Sequence, residues 1–374
     1  MAGIYIHIPF CKKACTYCDF HFSTGLGNQG DMVKSIQQEL EIRKDYLGRE
    51  SINSIYFGGG TPSLLKMEEL DSIFNTLYNH YSVSETSEIT IEANPDDLKI
   101  EKIKGFKHSP INRFSVGIQS FHEEDLQWMN RSHNSQQAEF CIKSLQNEGY
   151  SNISLDLIFG YPLLNQNKWK LNLEKAIELN VPHISSYGMT IEKGTLLDHQ
   201  ISLRLTNEID EEIYISQFNY LIDTLQKAGL EQYELSNYAK SGFESQHNQS
   251  YWNRVPYLGI GPSAHSYNGT TRSWNISNNT HYIKKINNGE LPSKFETLTE
   301  ENKFQEYIMT ALRTTRGIDL VYLKNSFPEQ WGVEIEKNYQ VFLSSKDLEK
   351  NGNKLFLTKK GKVLSDYILK SLIQ

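Results

Sequence analysis

The stretch IYIHIPFCKKACTYCDF, residues 4–20, joins a strand pattern to a tight group of cysteines. Residues 4–8 alternate isoleucine with tyrosine and histidine, which indicates a β-strand with one apolar face. Cys11, Cys15 and Cys18 follow at once, with the spacing C-x3-C-x2-C. Thiolates at such spacing can bind one metal centre together. The stretch therefore predicts a strand that carries a metal site on the loop after its carboxyl end.

The metal at this site is either a zinc ion or an iron–sulfur cluster. Zinc usually takes four ligands, often as two separate pairs. His7 or His21 could supply a fourth ligand, but the sequence has no second C-x2-C pair and Cys141 lies far along the chain. A cubane held by three cysteines leaves one iron open, and an open position is typical of catalytic metal sites. The spacing favours the cluster, zinc stays the alternative, and Cys141 on a predicted helix is expected to be a small core residue.

Strand and helix patterns alternate over the first half of the chain. We predict strands at residues 4–8, 52–57, 88–92, 112–118, 153–158 and 183–187, and helices at residues 31–46, 67–78, 100–106, 135–148 and 168–179. Alternation with these connection lengths is typical of βαβ units and a parallel sheet.

These strands carry polar residues on one face, among them Glu92, Arg113 and Asp156. Parallel strands that are covered on both faces are usually apolar throughout. A curved sheet with a hydrated, ligand-holding inner face explains the pattern, and in such barrels the active site lies at the C-terminal ends of the strands. We therefore predict an open, incomplete α/β barrel, with a solvated sheet face as the alternative.

We predict that the chain consists of three parts. Residues 1–235 form the barrel and end with a long amphipathic helix at 207–228, and residues 236–295 form a loop-rich extension. Residues 296–374 form a small helical domain with a wing-like strand turn. Lysines near the end of this domain would suit DNA, but a solvated helix face explains them better, and the acidic chain as a whole does not support DNA binding.

The composition excludes several classes of protein. The 374 residues include 38 Lys and Arg against 45 Asp and Glu, and a net charge of −7 argues against a dedicated nucleic-acid binder. Four cysteines do not make a disulfide scaffold at this length. The sequence contains no run of 18 apolar residues, and its start lacks the features of a signal peptide. We expect a cytoplasmic protein with reduced thiols.

The cysteine motif, with Tyr17 before its last cysteine, resembles the signature of the radical S-adenosylmethionine (SAM) superfamily. In that family the three cysteines hold a 4Fe–4S cluster, and the amino and carboxylate groups of SAM chelate the fourth iron. One-electron reduction then cleaves SAM to a 5′-deoxyadenosyl radical. The resemblance implies a partial (β/α)6 TIM-like barrel, here with a small C-terminal winged-helix-like domain.

Further segments are similar to the coproporphyrinogen dehydrogenase branch of the superfamily, which includes the HemN and HemW types. They are FGGGTP (57–62), IEANP (91–95), RFSVGIQSF (113–121), NRSH (130–133), DLIFGYP (156–162) and HISSYGMTIEKGT (183–195). Carried over by motif, the resemblance implies SAM contacts from Tyr5, Tyr17, Gly59, Gly60, Thr61, Glu92, Gln119, Arg131 and Asp156. A buried hydrogen-bond network without a ligand is the alternative for the polar members of this set.

Two features separate the dehydrogenase from the HemW type. The dehydrogenase has a fourth cysteine two residues after the third, where this chain has Phe20, and it has a longer N-terminal extension. Residues 247–252, HNQSYW, match the HNQxYW motif of HemW-type heme chaperones. Neutral imidazole is a common axial heme ligand. The match implies His247 as heme ligand, with His265 as a weaker candidate; a histidine satisfied by hydrogen bonds in the loop is the alternative.

The resemblance implies a heme chaperone that binds a 4Fe–4S cluster, SAM and heme, and delivers heme to respiratory enzymes such as a membrane cytochrome b subunit. The cluster and SAM would serve holding, redox sensing or formation of a homodimer. The rival is an enzyme, the oxygen-independent coproporphyrinogen III dehydrogenase, which makes two vinyl groups by oxidative decarboxylation. A zinc-stabilised βα protein without redox chemistry is the third possibility.

Overall fold

The computed structural model describes residues 1–373 as an α/β protein with two sheets. The strands are β1 (Ala2–Ile8), β2 (Ile52–Gly59), β3 (Val83–Ala93), β4 (Arg113–Gln119), β5 (Ile153–Phe159), β6 (His183–Gly188), β7 (Glu231–Gln232), β8 (Asn237–Ala239), β9 (Tyr257–Ile260), β10 (His265–Tyr267), β11 (Thr271–Asn275), β12 (Ser293–Thr297), β13 (Ile318–Asp319), β14 (Leu348–Asn351) and β15 (Lys354–Leu357).

The helices lie mainly between these strands. They are α1 (Gln29–Ile42), α2 (Met67–His80), α3 (Ile100–Phe106), α4 (Glu123–Trp128), α5 (Ser135–Asn147), α6 (Gln166–Glu178), α7 (Leu196–Ser202), α8 (Glu211–Lys227), α9 (Gln246–Trp252), α10 (Asn279–Asn287), α11 (Glu300–Leu312), α12 (Leu320–Ser326), α13 (Glu329–Ser344), α14 (Lys359–Val363) and α15 (Ser365–Ile373).

The large sheet has the strand order β12-β11-β10-β9-β1-β2-β3-β4-β5-β6-β8-β7. Strands β1 to β6 are parallel neighbours, as the alternation of strands and helices predicted. Their apolar side chains, for example Ile4, Ile6 and Ile8 of β1, are fully buried against the helices. The opposite face is polar and curves around a cavity. The predicted fold class, a partial barrel with a small C-terminal helical domain, is confirmed.

The extension at residues 236–295 contains more regular structure than the sequence indicated. Strand β9 pairs in parallel with β1, and β10, β11 and β12 continue the sheet in antiparallel order. These strands have three to five residues each and, apart from β9, are mainly polar, so they show no clear alternation of apolar and polar residues. The sequence patterns therefore did not predict these strands within the loop-rich stretch.

The C-terminal residues form a second hydrophobic core, which runs from Phe304 to Leu372. Two short helices, α14 and α15, follow the wing strands β14 and β15. This part contacts the barrel through an ion pair from Lys359 to Asp223 and a hydrogen bond from Lys362 to Gln232. Among residues 1–373, no helix is long and apolar enough to cross a lipid bilayer.

Candidate functional site

A cavity of about 570 Å³ opens at the carboxyl ends of the barrel strands. Of the residues that the sequence singled out, it is lined by Cys11, Cys15, Tyr17, Cys18, Gly59, Gly60, Thr61, Glu92, Gln119, Arg131 and Asp156. These residues come from β2, β3, β4, β5 and the loops that follow the strands. Tyr5 and His247 do not line the cavity.

The three cysteines lie half-buried on the loop after β1. Thr61 Oγ1 donates to Cys11 Sγ at 3.4 Å, and Arg131 Nη1 donates to Cys15 Sγ at 3.3 Å. Burial raises the pKa of Cys18 to about 12. Donors aimed at sulfur suit thiolates that ligate a metal, because ligation removes the thiol protons.

The cavity has room for more than one metal ion. Within residues 1–373, no three Cys, His, Asp or Glu side chains are grouped closely enough to hold a single metal ion. The thiols instead line one wall of a cavity whose other walls carry polar groups. This donor set fits a cluster with three cysteine ligands and an organic ligand beside it.

Two carboxyl groups form the inner wall of the cavity. Glu92 accepts hydrogen bonds from Tyr56 Oη at 2.8 Å and from the Gly59 amide at 3.1 Å. Burial, with a smaller contribution from the charge of Asp156, raises the pKa of Glu92 to about 7. Burial also raises the pKa of Asp156, which accepts from Ser115 at 3.2 Å. Two half-buried acids on one cavity wall fit a ligand that carries positive charge, such as the amino group and sulfonium of SAM.

Arg131 connects the cysteine wall to the strands. Its Nη2 donates to Asn94 Oδ1 and to the Gly117 carbonyl at 2.8 Å, while Asn94 Nδ2 donates to Thr61 Oγ1 at 3.2 Å. Arg131 Nε is buried without a hydrogen-bond partner among residues 1–373. Asn94 belongs to the motif IEANP, but the sequence indicated no role for it; its place directly after β3 was the available signal.

Gln119, the last residue of β4, has a left-handed backbone with φ of +66°. The β4–β5 register shifts between Val116 and Gln119, so the strand bends where it reaches the cavity. Non-glycine residues with positive φ are uncommon and occur often at functional sites. The bend directs the Gln119 side chain toward the cavity that it lines.

Gly59, at the end of β2, leaves little room for a side chain. Its φ is +103°, and an added Cβ would lie 2.4 Å from the His7 ring. We expect Gly59→Ala to lower the free energy of unfolding by about 3 kcal/mol, since it combines backbone strain with a clash. Gly149→Ala is the control, because φ there is +88° with open space around it; it should cost about 1 kcal/mol. If urea unfolding shows that Gly59→Ala and Gly149→Ala lower the free energy of unfolding equally, this explanation is contradicted.

Tyr5 lies outside the cavity. Its hydroxyl is 3.2 Å from His7 Nδ1, and its ring stacks beside that of Tyr56 with centroids 6.1 Å apart. Tyr56, which sequence analysis missed, stands between Tyr5 and Glu92 and lines the cavity itself. In this arrangement Tyr5 supports the cavity wall, and a direct side-chain contact with SAM requires Tyr56 to move.

His247 is buried inside the barrel, with 1% of its surface exposed. Its Nδ1 lies 2.8 Å from Ser54 Oγ and its Nε2 lies 2.9 Å from Tyr251 Oη. Burial lowers its pKa to about 3. Its ring stacks on that of Tyr56, with centroids 5.1 Å apart. The HNQSYW motif therefore packs behind Tyr56, which lines the cavity. Heme ligation by His247 stays a prediction, and it requires one of these two hydrogen bonds to break.

The position of α9, which carries His247, is fixed by a carboxylate. Glu88 of β3 accepts from Ser245 Oγ at 3.3 Å and from the amides of Gln246 and His247 at 3.1 Å each. An acceptor at a helix N-terminus satisfies amides that have no partner within the helix. His265, by contrast, is exposed and stacks on Trp274 with ring centroids 6.2 Å apart.

Comparison with known proteins agrees with this geometry. The model of the Radical SAM superfamily matches residues 5–191. The chain is 31% identical to the heme chaperone HemW of Bacillus subtilis, over 98% of each chain. It is 33% identical to the heme chaperone HemW of Buchnera aphidicola subsp. Schizaphis graminum, over 98% of this chain and 97% of that one. The chain belongs to the HemW type of the radical SAM superfamily.

The fold of this HemW-type protein also matches a solved structure. Coproporphyrinogen III oxidase (HemN) from Escherichia coli superposes with a TM-score of 0.86 at 18% identity, covering 100% of this chain and 90% of that one. This likeness concerns the fold alone. Membership of the superfamily implies a 4Fe–4S cluster and SAM, and the cavity is lined by the three cysteines together with Glu92 and Asp156. Phe20, at the position of the dehydrogenase's fourth cysteine, lines the cavity and is 68% exposed.

Proposed function

We propose that this protein is a heme carrier that holds a 4Fe–4S cluster and SAM in the barrel cavity. The observation that carries the proposal is full-length similarity to proteins named heme chaperone HemW. The cavity supports it, because three thiols face two half-buried carboxyls across one space. We further propose that the recipients of heme are respiratory enzymes, some at the membrane, that the compartment is the cytoplasm, and that the carrier acts as a homodimer.

Each wall of the cavity has a separate task in this proposal. Cys11, Cys15 and Cys18 ligate the cluster, while Thr61 and Arg131 donate hydrogen bonds to the ligating sulfurs. Such hydrogen bonds tune the reduction potential of a cluster. When bound, the cluster and SAM supply one-electron chemistry.

The inner wall and one side wall would hold SAM. Glu92 and Asp156 face its positive charge, and Gly60 allows close approach of the backbone to the ligand. Tyr17 and Gln119 border the same space.

The alternative is oxygen-independent coproporphyrinogen III dehydrogenase activity. The fold favours it as a second candidate, because HemN superposes over the whole chain. Phe20 counts against it, since a phenyl ring cannot replace a thiol as a ligand or a hydrogen-atom donor. The two functions differ in whether a porphyrinogen is converted or heme is held.

Titration with hemin tests the carrier function directly. We expect the anaerobically purified protein to shift the Soret band and to saturate near one heme per chain, because a carrier must remove the apolar macrocycle from water. Bovine serum albumin serves as the reference for non-specific heme uptake. The titration should therefore be repeated with albumin present as a competitor for hemin. A Soret band that stays at the position of free hemin would contradict the proposal.

A further inference from the structure

A second concave site lies between the barrel and the C-terminal domain, and we call it the interdomain groove. It has a volume of about 330 Å³ and is lined by Phe159, Ser186, Tyr187, Gly188, Tyr214, Phe218, Leu235, Ser236, Lys362, Val363, Leu364, Ser365, Asp366 and Tyr367. One wall comes from the ends of β5 and β6 and from α8, and the other from α14 and α15. Tyr187 and Gly188 also line the cavity, so the two sites are neighbours.

The barrel wall of the groove is aromatic. The Tyr214 ring lies over two backbone positions, since a Cβ added at Gly160 or Gly188 would meet it at 2.3 Å or 2.0 Å. Phe159 packs behind it, with ring centroids 4.9 Å apart. Across the groove, Tyr367 is 64% exposed. Within residues 1–373 neither tyrosine hydroxyl has a hydrogen-bond partner; the Tyr214 hydroxyl lies against Gly188, whereas the Tyr367 side chain offers exposed aromatic area.

One cation in the groove lacks an acidic partner. Lys362 Nζ donates to the neutral Gln232 Oε1 at 2.6 Å, and no carboxylate of residues 1–373 lies within salt-bridge distance of it. Burial, with a smaller contribution from the charge of Lys359, lowers its pKa, although the charge of Glu349 acts in the opposite direction. Asp366, the acid that lines the groove, pairs with Arg313. A half-buried lysine that makes no ion pair is costly, and an anionic ligand would offset that cost.

We propose that the interdomain groove binds the heme, with Lys362 holding a propionate and Tyr214 and Tyr367 packing on the macrocycle. This inference rests on the proposed carrier function. Heme combines a flat apolar face with anionic groups at one edge, and the groove offers both complements. Phenolate oxygen is a known ligand of heme iron, so the exposed Tyr367 hydroxyl also suits a ferric centre. A groove open to solvent lets the heme leave for a recipient.

The test compares hemin affinity in four variants of the full chain. Lys362→Met keeps the buried stem and removes the charge, and we expect it to raise the Kd about tenfold. Leu364→Glu adds a carboxylate at the rim and should have an effect of at least the same size. Lys354→Met removes an exposed lysine elsewhere in the same domain and should leave the Kd unchanged. His247→Gln tests the rival site, because its Kd should rise only if the HNQSYW motif holds the heme.

Hemin dimethyl ester, which lacks free propionates, isolates the proposed contact. The wild-type protein should bind the ester about tenfold more weakly than hemin, while Lys362→Met should bind both equally. Iron content and thermal unfolding show whether each variant is folded.

The possible failures are distinct. If the wild-type protein binds no hemin, the carrier function itself fails. If it binds hemin, Lys362→Met binds equally well and His247→Gln loses binding, the groove is the wrong site and the HNQSYW motif is the right one. If Leu364→Glu changes the apparent size of the protein in gel filtration and leaves its hemin affinity unchanged, the groove holds a second copy of the chain. That result would overturn the inference.

Discussion

Replacing Cys15 with serine should remove almost all iron from the protein. Wild-type protein purified without oxygen should be brown, with about four irons and four sulfides per chain. Three cysteines are the whole protein ligand set of the proposed cluster, so the loss of one leaves two irons without a protein ligand. The hydroxyl of serine is a far weaker ligand for iron than a thiolate. Metal analysis, sulfide analysis and the visible spectrum measure this effect.

Cys141→Ser is the matched control for the cluster prediction. Cys141 is buried in α5, and its thiol donates to the Ala138 carbonyl at 3.2 Å. A serine hydroxyl can make the same hydrogen bond, and the iron content should stay at the wild-type value. A colourless wild-type protein with one zinc per chain would show that the site is structural. Equal iron in Cys15→Ser and wild type would show that the cluster has other ligands.

Replacing Glu92 with glutamine should weaken SAM binding about 100-fold or more. Removal of one member of a buried pair of opposite charges costs about 3–5 kcal/mol, and each 1.4 kcal/mol is about tenfold in affinity. Glutamine preserves the size of the side chain and can still accept from Tyr56 and the Gly59 amide. Glu192→Gln is the control, because Glu192 borders the same cavity but is exposed. Calorimetric titration with SAM measures both affinities.

The same carboxyl predicts how SAM affinity depends on pH. The pKa of Glu92 is raised to about 7, so below that value the free protein holds a neutral acid that does not attract a cation. SAM affinity should therefore rise from about pH 5.5 to about pH 7 and level off above, as Glu92 ionises. SAM binding should release protons within this range. Glu92→Gln should show neither effect, and a wild-type affinity that falls with rising pH would contradict this role.

The positions of the barrel elements could be predicted because local patterns determine them. The predicted strand centres lie within β1 to β6, and α3 begins and ends where the sequence indicated. The alternation that placed Glu92 and Asp156 on a polar face also placed them in the cavity, since side chains of a strand alternate between two faces. The cysteine spacing likewise predicted where the site lies, because the spacing is a local pattern of the sequence.

Such local patterns could not predict contacts between segments that are far apart in the sequence. Tyr251 is four residues after His247 on one helix, so their contact was visible in the sequence. Ser54, which occupies the other ring nitrogen, lies 193 residues away. The interdomain groove likewise requires α15 to lie opposite the ends of β5 and β6. The periodicity of one segment does not predict which other segment lies beside it. Strands β9 to β12 were missed because they are short and, apart from β9, mainly polar, so they lack an apolar–polar alternation.

The central claim is that this radical SAM fold carries heme and does not convert a porphyrinogen. The most direct measurement incubates the cluster-loaded protein with SAM, a one-electron reductant and coproporphyrinogen III, and follows porphyrin products by chromatography. We expect the coproporphyrinogen to remain unchanged, while the same preparation binds hemin with a shifted Soret band. Formation of protoporphyrinogen IX, with release of carbon dioxide, would contradict the claim and identify the chain as a dehydrogenase.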